Sequence, residues 1–474
     1  MEVGRLFALP RRRSPLARVT LRWEPGAPSE RGVSAAKNGE STLALMGRAL
    51  RHRNYRLFFA GQGTSLIGTW LTRVATSWLV YRLTHSAFLL GVVGFSTQIP
   101  TFLVAPIAGV LIDRWNRHRV LVMTQALAML QSTLLAVFAL TKTITVWHVL
   151  ALGAFQGLIN AFDTPARQAF VVEMVESRED LPNAIALNSS MVNSARLLGP
   201  SIAGVLIAAV GEGWCFAVDA ASYLAVIASL LAMRLAAAPQ PSREIRVLAQ
   251  LREGFRYVAT VVPIRSILLL LAFVSLTGVP YMVLMPVFAV RVLHGGPHTL
   301  GLLTASAGAG AILGVLWLAS RRGVRGLGRV ICWAGGAFGG GLVGFGLSRW
   351  LWLSVPAMVI TGCGMMVQMA ASNTLLQTLV EDSKRGRVMS FYTMAFFGTL
   401  PLGSLAAGVL GDRIGAPATV VGGGVATLVA VLLFARGLPR MRELARPILV
   451  RRGIIPEIAK GLGEAAELSQ PPEG

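Results

Sequence analysis

Between residues 57 and 436 the sequence alternates apolar runs of about 20 residues with short polar gaps, a pattern few folds accommodate. At about 1.5 Å per residue, a helix of that length crosses a hydrocarbon core of about 30 Å. We place twelve runs, at 57–81, 87–112, 119–140, 146–168, 184–210, 214–235, 266–290, 299–319, 328–347, 351–374, 387–411 and 416–436. Several contain proline (Pro100, Pro106, Pro200, Pro280, Pro286 and Pro401), which membrane helices tolerate because neighbours satisfy the freed carbonyls. Charged residues make up 14% of the chain and mean hydropathy is +0.61, whereas a soluble domain carries about 25% charge. The fold expected is all-α and integral to the membrane, with twelve transmembrane helices.

The net charge of +22 raises nucleic acid as a partner, but the bases are scattered through short gaps between apolar runs. A nucleic-acid face needs them clustered with exposed aromatics, so no nucleic acid is expected. The positive-inside rule accounts for the same charge. The gaps holding Arg114, Arg117 and Arg119, then Arg167 and Arg178, Arg252 and Arg256, Arg321 and Arg329, and Lys384 and Arg385 alternate with gaps carrying only Arg82, Lys142, Arg291, Arg349 and Arg413. Both termini are therefore expected on the cytoplasmic side of the inner membrane. Cys215, Cys332 and Cys363 all fall inside apolar runs without metal-ligand spacing, and read as small packing residues. No metal site is expected.

Residues 1–45, with Arg11, Arg12 and Arg13 among Pro, Gly and Ser, read as a disordered basic tail, and Met46 reads as the true start. The longest gap between runs, 236–265, places Leu248, Leu251, Phe255 and Val258 at helical spacing among Arg252, Glu253 and Arg256. That suits an amphipathic helix on an anionic inner leaflet. It separates a six-helix bundle at 46–235 from a second at 266–437, followed by a basic cytoplasmic tail at 438–474.

The halves repeat. Ala-Gly-Val-Leu occurs around Gly109, Gly204 and Gly408, and Gly-Val-Leu at Gly314. Three-helix units paired into two pseudo-symmetric bundles are the signature of a secondary transporter. No Gly-x4-Gly-Lys-[Ser/Thr] phosphate loop is present, which disfavours an ATP-driven pump in one chain.

The connection after the second run reads Gly109-x3-Asp113-Arg114-x2-Arg117-x-Arg119. In a twelve-run chain it resembles the loop motif of the major facilitator superfamily. The strings Arg53–Gln62, Ile67–Trp70, Ala195–Gly204 and Leu251–Tyr257 are similar to the enterobactin-exporter-like and macrolide-efflux-like permeases of that superfamily. The resemblance covers about residues 46–440.

It implies that Asp113 meets the positive N-terminus of the eleventh helix when the cytoplasmic gate closes, with Gly109, Arg114, Arg117 and Arg119 around it. The plainer alternative is a loop acid paired with Arg117 or Arg119. Gly199, Pro200 and Gly204 resemble the end of the antiporter motif, where close packing and a bend seal the cavity. Gln156-Gly157 matches part of a fourth-span motif, but the arginine expected four residues before that glycine is Gly153, so a proton-responsive arginine does not carry over.

Ionisable groups within spans are costly, about 2.5–3.5 kcal/mol at a helix centre, and read as functional by default. Asp163 is the first candidate for proton coupling, with an ion pair to Arg167 one turn away as its alternative. Arg73 divides between solute contact and snorkelling outward, Arg196 between coupling and a clamp on carbonyls, and Asp219 leans toward a hydrogen-bonded structural acid. Thr64, Trp70, Gln156, Asn160, Tyr281, Gln368 and Asn373 are candidates for the wall of a central cavity, although each singly suits interhelical packing.

The function expected is export of a small organic molecule, drug or siderophore-like metabolite, by alternating access and proton antiport. It would need no cofactor beyond the proton gradient and would act as a monomer in the lipid bilayer, and is not an enzyme. An importer and a non-transporting receptor or scaffold are the rivals.

Overall fold

A computed structural model describes residues 48–112, 114–175, 177, 179–234, 247–321, 323–324, 326–381 and 384–451. Six long helices come first: α1 (Arg53–Thr84), α2 (Ala87–Ile112), α3 (Arg117–Leu140), α4 (Val146–Met174), α5 (Leu181–Val210) and α6 (Glu212–Leu231). Helix α7 (Val247–Thr260) lies in the long gap. Six further segments follow, two of them broken: α8 (Val262–Thr277) with α9 (Tyr281–Val287), α10 (Pro297–Ser320), α11 (Leu327–Leu347), α12 (Leu351–Leu379), α13 (Arg385–Phe397) with α14 (Leu400–Arg413), and α15 (Ala416–Arg451).

Local sequence sets the ends. Helix α1 stops where His85 turns left-handed at φ 51° and its N–H bonds Tyr81 O. Asn116 caps α3 by accepting from the Arg119 N–H. Thr145 and His148 form a reciprocal capping box on α4. Gly211, at φ 90°, turns α5 into α6 where a side chain would be strained. Pro280 marks the break before α9, which ends in a π-helical turn, Phe288–Val292.

Among the described residues, ten segments are both long and apolar enough to cross a membrane. The other two of the expected twelve, α1 and α4, have the length, 32 and 29 residues, but carry more charge: Arg53, Arg56, Arg73 and Arg82 on α1, and Asp163, Arg167 and Glu173 on α4. The placed runs end within a few residues of the helices except at the last. Helix α15 continues to Arg451 through a stretch read as tail, because Met441 and Ala445 are buried against the bundle despite Arg442 and Glu443 between them.

The packing repeats as the sequence does. In the first half α1 packs on α5 and α6, α2 on α4, and α3 on α4 and α6; in the second, α8 packs on α13 and α15, α10 on α12, and α11 on α12 and α15. We call the end of the molecule holding Arg53 and Arg451 the tail end, and the opposite one the far end. Among the described residues, seven exposed tryptophans form two belts, Trp147, Trp214, Trp350 and Trp352 toward the far end and Trp115, Trp317 and Trp333 toward the tail end. Amphipathic indoles favour the two membrane–water interfaces. Helix α7 packs on α13, with Gly254 against the Phe391 ring and Glu253 paired to Arg387 at 2.5 Å. Val258 is buried and Phe255 exposed; the side chains of Leu248 and Leu251 lie outside the described residues.

Candidate functional site between the two halves

The halves meet along two seams. In one, α2 lies against α14: a Cβ on Gly91 would sit 2.6 Å from Ser404 O, and one on Gly408 2.8 Å from Gly91 Cα. In the other, α5 lies against α10: a Cβ on Gly204 would sit 2.9 Å from Pro297 O, and one on Gly301 2.6 Å from Pro200 O. Backbones approach this closely only without side chains. Both seams lie in the far half of the molecule, and polar contacts add to the first. The Asp412 carboxylate on α14 accepts from the Ala87 N–H at 2.7 Å and from Ser86 Oγ at 2.8 Å, capping α2 across the divide. Arg291 donates to His85 O at 2.9 Å. Within the first half, Arg82 pairs with Glu212.

Toward the tail end the halves part. A Cβ on Gly109 would meet nothing within 4 Å, and Leu103, Ile107, Met394 and Phe397 on α2 and α13 are exposed. Gly109, expected beside Asp113 at the closed cytoplasmic gate, makes no close contact in this arrangement. Asp113 lies outside the described residues. Arg114 and Arg119 are exposed, and Arg117 donates to Glu173 at 2.6 Å.

Below the seams sits a cluster drawn from both halves. Trp70 on α1 is 9% exposed, with the Arg73 guanidinium 4.6 Å from its ring centroid and that of Arg196, on α5, at 5.8 Å. Gly199 makes room for the indole, since a Cβ there would fall 2.4 Å from Trp70 Cβ. Tyr281, at the start of α9, lies near Arg196. Arg73 is solvent-accessible although it lies deep in the protein, which places it on a cavity wall and not snorkelled to the far surface. Arg196 Nε and Nη1 find no acceptor among the described residues, so no carbonyl clamp forms through them. The Tyr281 hydroxyl is buried and likewise uses no protein partner.

Neither arginine has a carboxylate among the ion pairs of the described residues. Two like charges on the order of 10 Å apart repel by about 1.7 kcal/mol at an effective dielectric of about 20.

The acids on neighbouring helices are committed elsewhere. Asp163 pairs with Arg167 and accepts from Thr124 Oγ1 at 3.0 Å and Gln125 Nε2 at 2.7 Å. Its ion-pair alternative is thus the arrangement present. Asp219 accepts from Thr72 at 2.7 Å and Ser132 at 2.8 Å, tying α1, α3 and α6 together. The arginine of the superfamily pattern at position 153 would require Thr97 to shift, since a Cβ there lies 2.8 Å from Thr97 Oγ1.

The remaining cavity candidates scatter. Thr64 is exposed and donates to Ala60 O at 3.1 Å. Gln156 donates to Asn160 at 3.1 Å, and Gln377 to Asn373 at 2.5 Å. Gln368 is buried inside the second half, facing Gly335 of α11, instead of on the central wall. Its position on the helical repeat fits either neighbour, and helix rotation decided the matter. A separate apolar pocket of about 280 Å³ lies toward the tail end between α8, α11, α12 and α15, lined by Ile267, Leu379, Phe434 and Leu438. It holds none of the central polar groups.

Two halves of matched packing that close at one end over a polar cluster form a carrier's architecture, and comparison with known proteins agrees. The model of one family, described as transmembrane secretion effector, matches residues 46–449. The chain belongs to that family of the major facilitator superfamily. It is a multi-pass membrane transporter, not an enzyme, and its substrate is a small molecule.

Similar curated proteins include the staphyloferrin A transporter of Staphylococcus aureus, 25% identical over 80% of this chain and 95% of the relative. The enterobactin exporter EntS of Citrobacter koseri is 25% identical over 86% and 98%. The multidrug efflux pump Tap of Mycolicibacterium fortuitum is 28% identical over 80% and 94%. Among solved structures, a bacterial homologue of the iron transporter ferroportin in an inward-facing state aligns with TM-score 0.65 at 15% identity, over 82% of this chain and 98% of that one. A bacterial homologue of the lysosomal transporter Spinster gives 0.62 at 14%, over 87% and 98%. At these identities the structures speak for the fold.

Proposed function

We propose that this transporter exports a small organic solute across the inner membrane by alternating access, coupled to proton entry. The observation that carries the reading is the pair of glycine seams closed over a cluster built by both halves. Rocking one half against the other would open the far end and close the tail end around a fixed site. The basic gaps support a cytoplasmic tail end with both termini on that side, and on that reading this arrangement is the inward-facing one, ready to load. Relatives named as exporters and as an efflux pump support the direction.

Proton coupling is assigned to Asp163. Protonating it would dissolve the ion pair that holds Arg167 on α4, a change within the first half that is sensed from the cytoplasmic side. On this reading the proton gradient is the only driving force, no cofactor takes part, and the working unit is a monomer.

Sensitivity of a deletion strain to drugs and metabolites selects the solute, and everted vesicles then test the direction. Export predicts accumulation that grows with an imposed pH gradient; import predicts loss, and a scaffold neither. Asp163→Asn is expected to abolish the response to the pH gradient while leaving solute exchange. Full gradient-driven accumulation in that variant removes Asp163 from the coupling.

A further inference from the structure

We propose that the central site takes organic anions with an aromatic or other flat apolar body, the anionic group held between Arg73 and Arg196 and the body laid against Trp70. The proposal rests on the transporter reading above and names the class of solute at that same site.

The groups come from three helices. Arg73 and Trp70 stand on α1, Arg196 on α5 and Tyr281 on α9, so the site draws on both halves. Both guanidinium groups lie at one indole, at 4.6 and 5.8 Å from its centroid. Among the described residues, Arg196 keeps two buried nitrogens without an acceptor, and the Tyr281 hydroxyl, 2% exposed as a residue, is a further donor without a partner. A guanidinium donates in a planar fork that matches a carboxylate, sulfonate or phosphate.

The acids of the first half cannot answer for these charges. Asp163 is taken by Arg167, Thr124 and Gln125; Asp219 gives Oδ2 to Thr72 and Ser132 and keeps a buried Oδ1, and neither acid pairs with Arg73 or Arg196 among the described residues. A cationic solute would meet two like charges and no carboxylate. An anion would relieve their mutual repulsion, which makes it the solute this wall selects.

The test uses the full chain in a non-ionic detergent and three probes that share one ring system: 1-naphthalenesulfonate, 1-naphthalenemethanol and 1-naphthylmethylammonium. Equilibrium dialysis is expected to give the sulfonate at least about tenfold tighter binding than the ammonium. Arg73→Gln and Arg196→Gln are each expected to weaken the sulfonate about tenfold while changing the neutral probe less than about twofold. The double Arg→Lys variant should keep the order of the probes. Arg73 is exposed on the cavity wall and makes no ion pair among the described residues, so Arg73→Gln should fold even if Arg196→Gln does not. Equal binding of sulfonate and ammonium, no sulfonate binding beyond partition into detergent, or sulfonate binding unchanged in Arg73→Gln would each overturn the proposal.

Everted vesicles separate this claim from the one beneath it. Arginine-dependent sulfonate binding without accumulation sustains the anion site and removes the export reading. Accumulation of the ammonium probe, unaltered in Arg73→Gln, does the reverse.

Discussion

Asp412→Ala should tip the carrier toward its far-end-open state. The Asp412 carboxylate accepts one backbone and one hydroxyl hydrogen bond, at 2.7 and 2.8 Å, from the first residues of a helix in the opposite half. The contact therefore exists only while the far seam is closed. A hydrogen bond to a charged group is worth about 1.5–3 kcal/mol net when buried, and a carboxylate at a helix N-terminus about 0.3–1 kcal/mol. Asp412 is exposed, so we take the low end, about 1.5–2.5 kcal/mol for the ensemble. That corresponds to a shift of about 10- to 70-fold in the ratio of closed to open.

Spin labels at Phe88 and Ile414, both exposed at the far end on opposite halves, with the three native cysteines replaced, report the separation. The parent should give one short distance, and Asp412→Ala a second, longer population. Asp412→Asn keeps an acceptor without the charge and should fall between them. Identical distance distributions in all three proteins would refute the idea that this cap stabilises the closed seam.

Three other outcomes are expected. Gly301→Leu places a Cβ 2.6 Å from Pro200 O and should cost about 1–3 kcal/mol of overpacking in the closed seam, lowering accumulation in everted vesicles by about tenfold or more; unchanged accumulation would mean that the seam tolerates a side chain. Asp113→Asn, if the charge meets a helix N-terminus worth up to about 2 kcal/mol when the tail end closes, should cut efflux about 30-fold without loss of membrane insertion, and wild-type efflux would return it to the rank of loop acid. At the tail end, the hydrogen bond from His52, with Arg48 and Arg51 adding to it, holds the Asp180 carboxyl below its ordinary 3.8. A depressed carboxyl contributes above its unfolded pKa and loses that contribution as pH falls through the folded value. Proteolytic protection of residues 48–52 should accordingly persist at pH 5 and fail only below about 4, with Asp180→Asn weakening it already at pH 5.

Much of the fold was legible because it rests on periodicity. A run of some twenty apolar residues specifies a membrane helix by itself, and the glycine repeat pointed to Gly204 and Gly408, which the structure sets in matching seams. Their partners Gly91 and Gly301 carry no repeat signature, since a seam glycine is recognisable only once the facing backbone is known. Asp412 was visible as an acid at the end of the eleventh run, yet its role depends on Ala87, more than three hundred residues away in sequence. Gln368 shows the converse limit, because a polar residue on an apolar helix faces whichever neighbour the bundle's rotation supplies.

The sequence alone determined that this chain crosses a membrane many times, in two related halves, with its bases gathered on one side. Hydrophobic length, internal repetition and charge are properties of the chain and need no folding to be counted. What only the tertiary structure decided is which charges remain unmatched. Asp163, Asp219, Arg73 and Arg196 are alike in sequence as ionisable groups within apolar runs. Packing gave each acid its partners, through Arg167, Thr124 and Gln125 for one and Thr72 and Ser132 for the other. It brought both arginines to the Trp70 ring with no carboxylate paired to either among the described residues. An ionic group's cost within a membrane depends on its neighbours in space, and those neighbours come from helices the sequence does not place side by side.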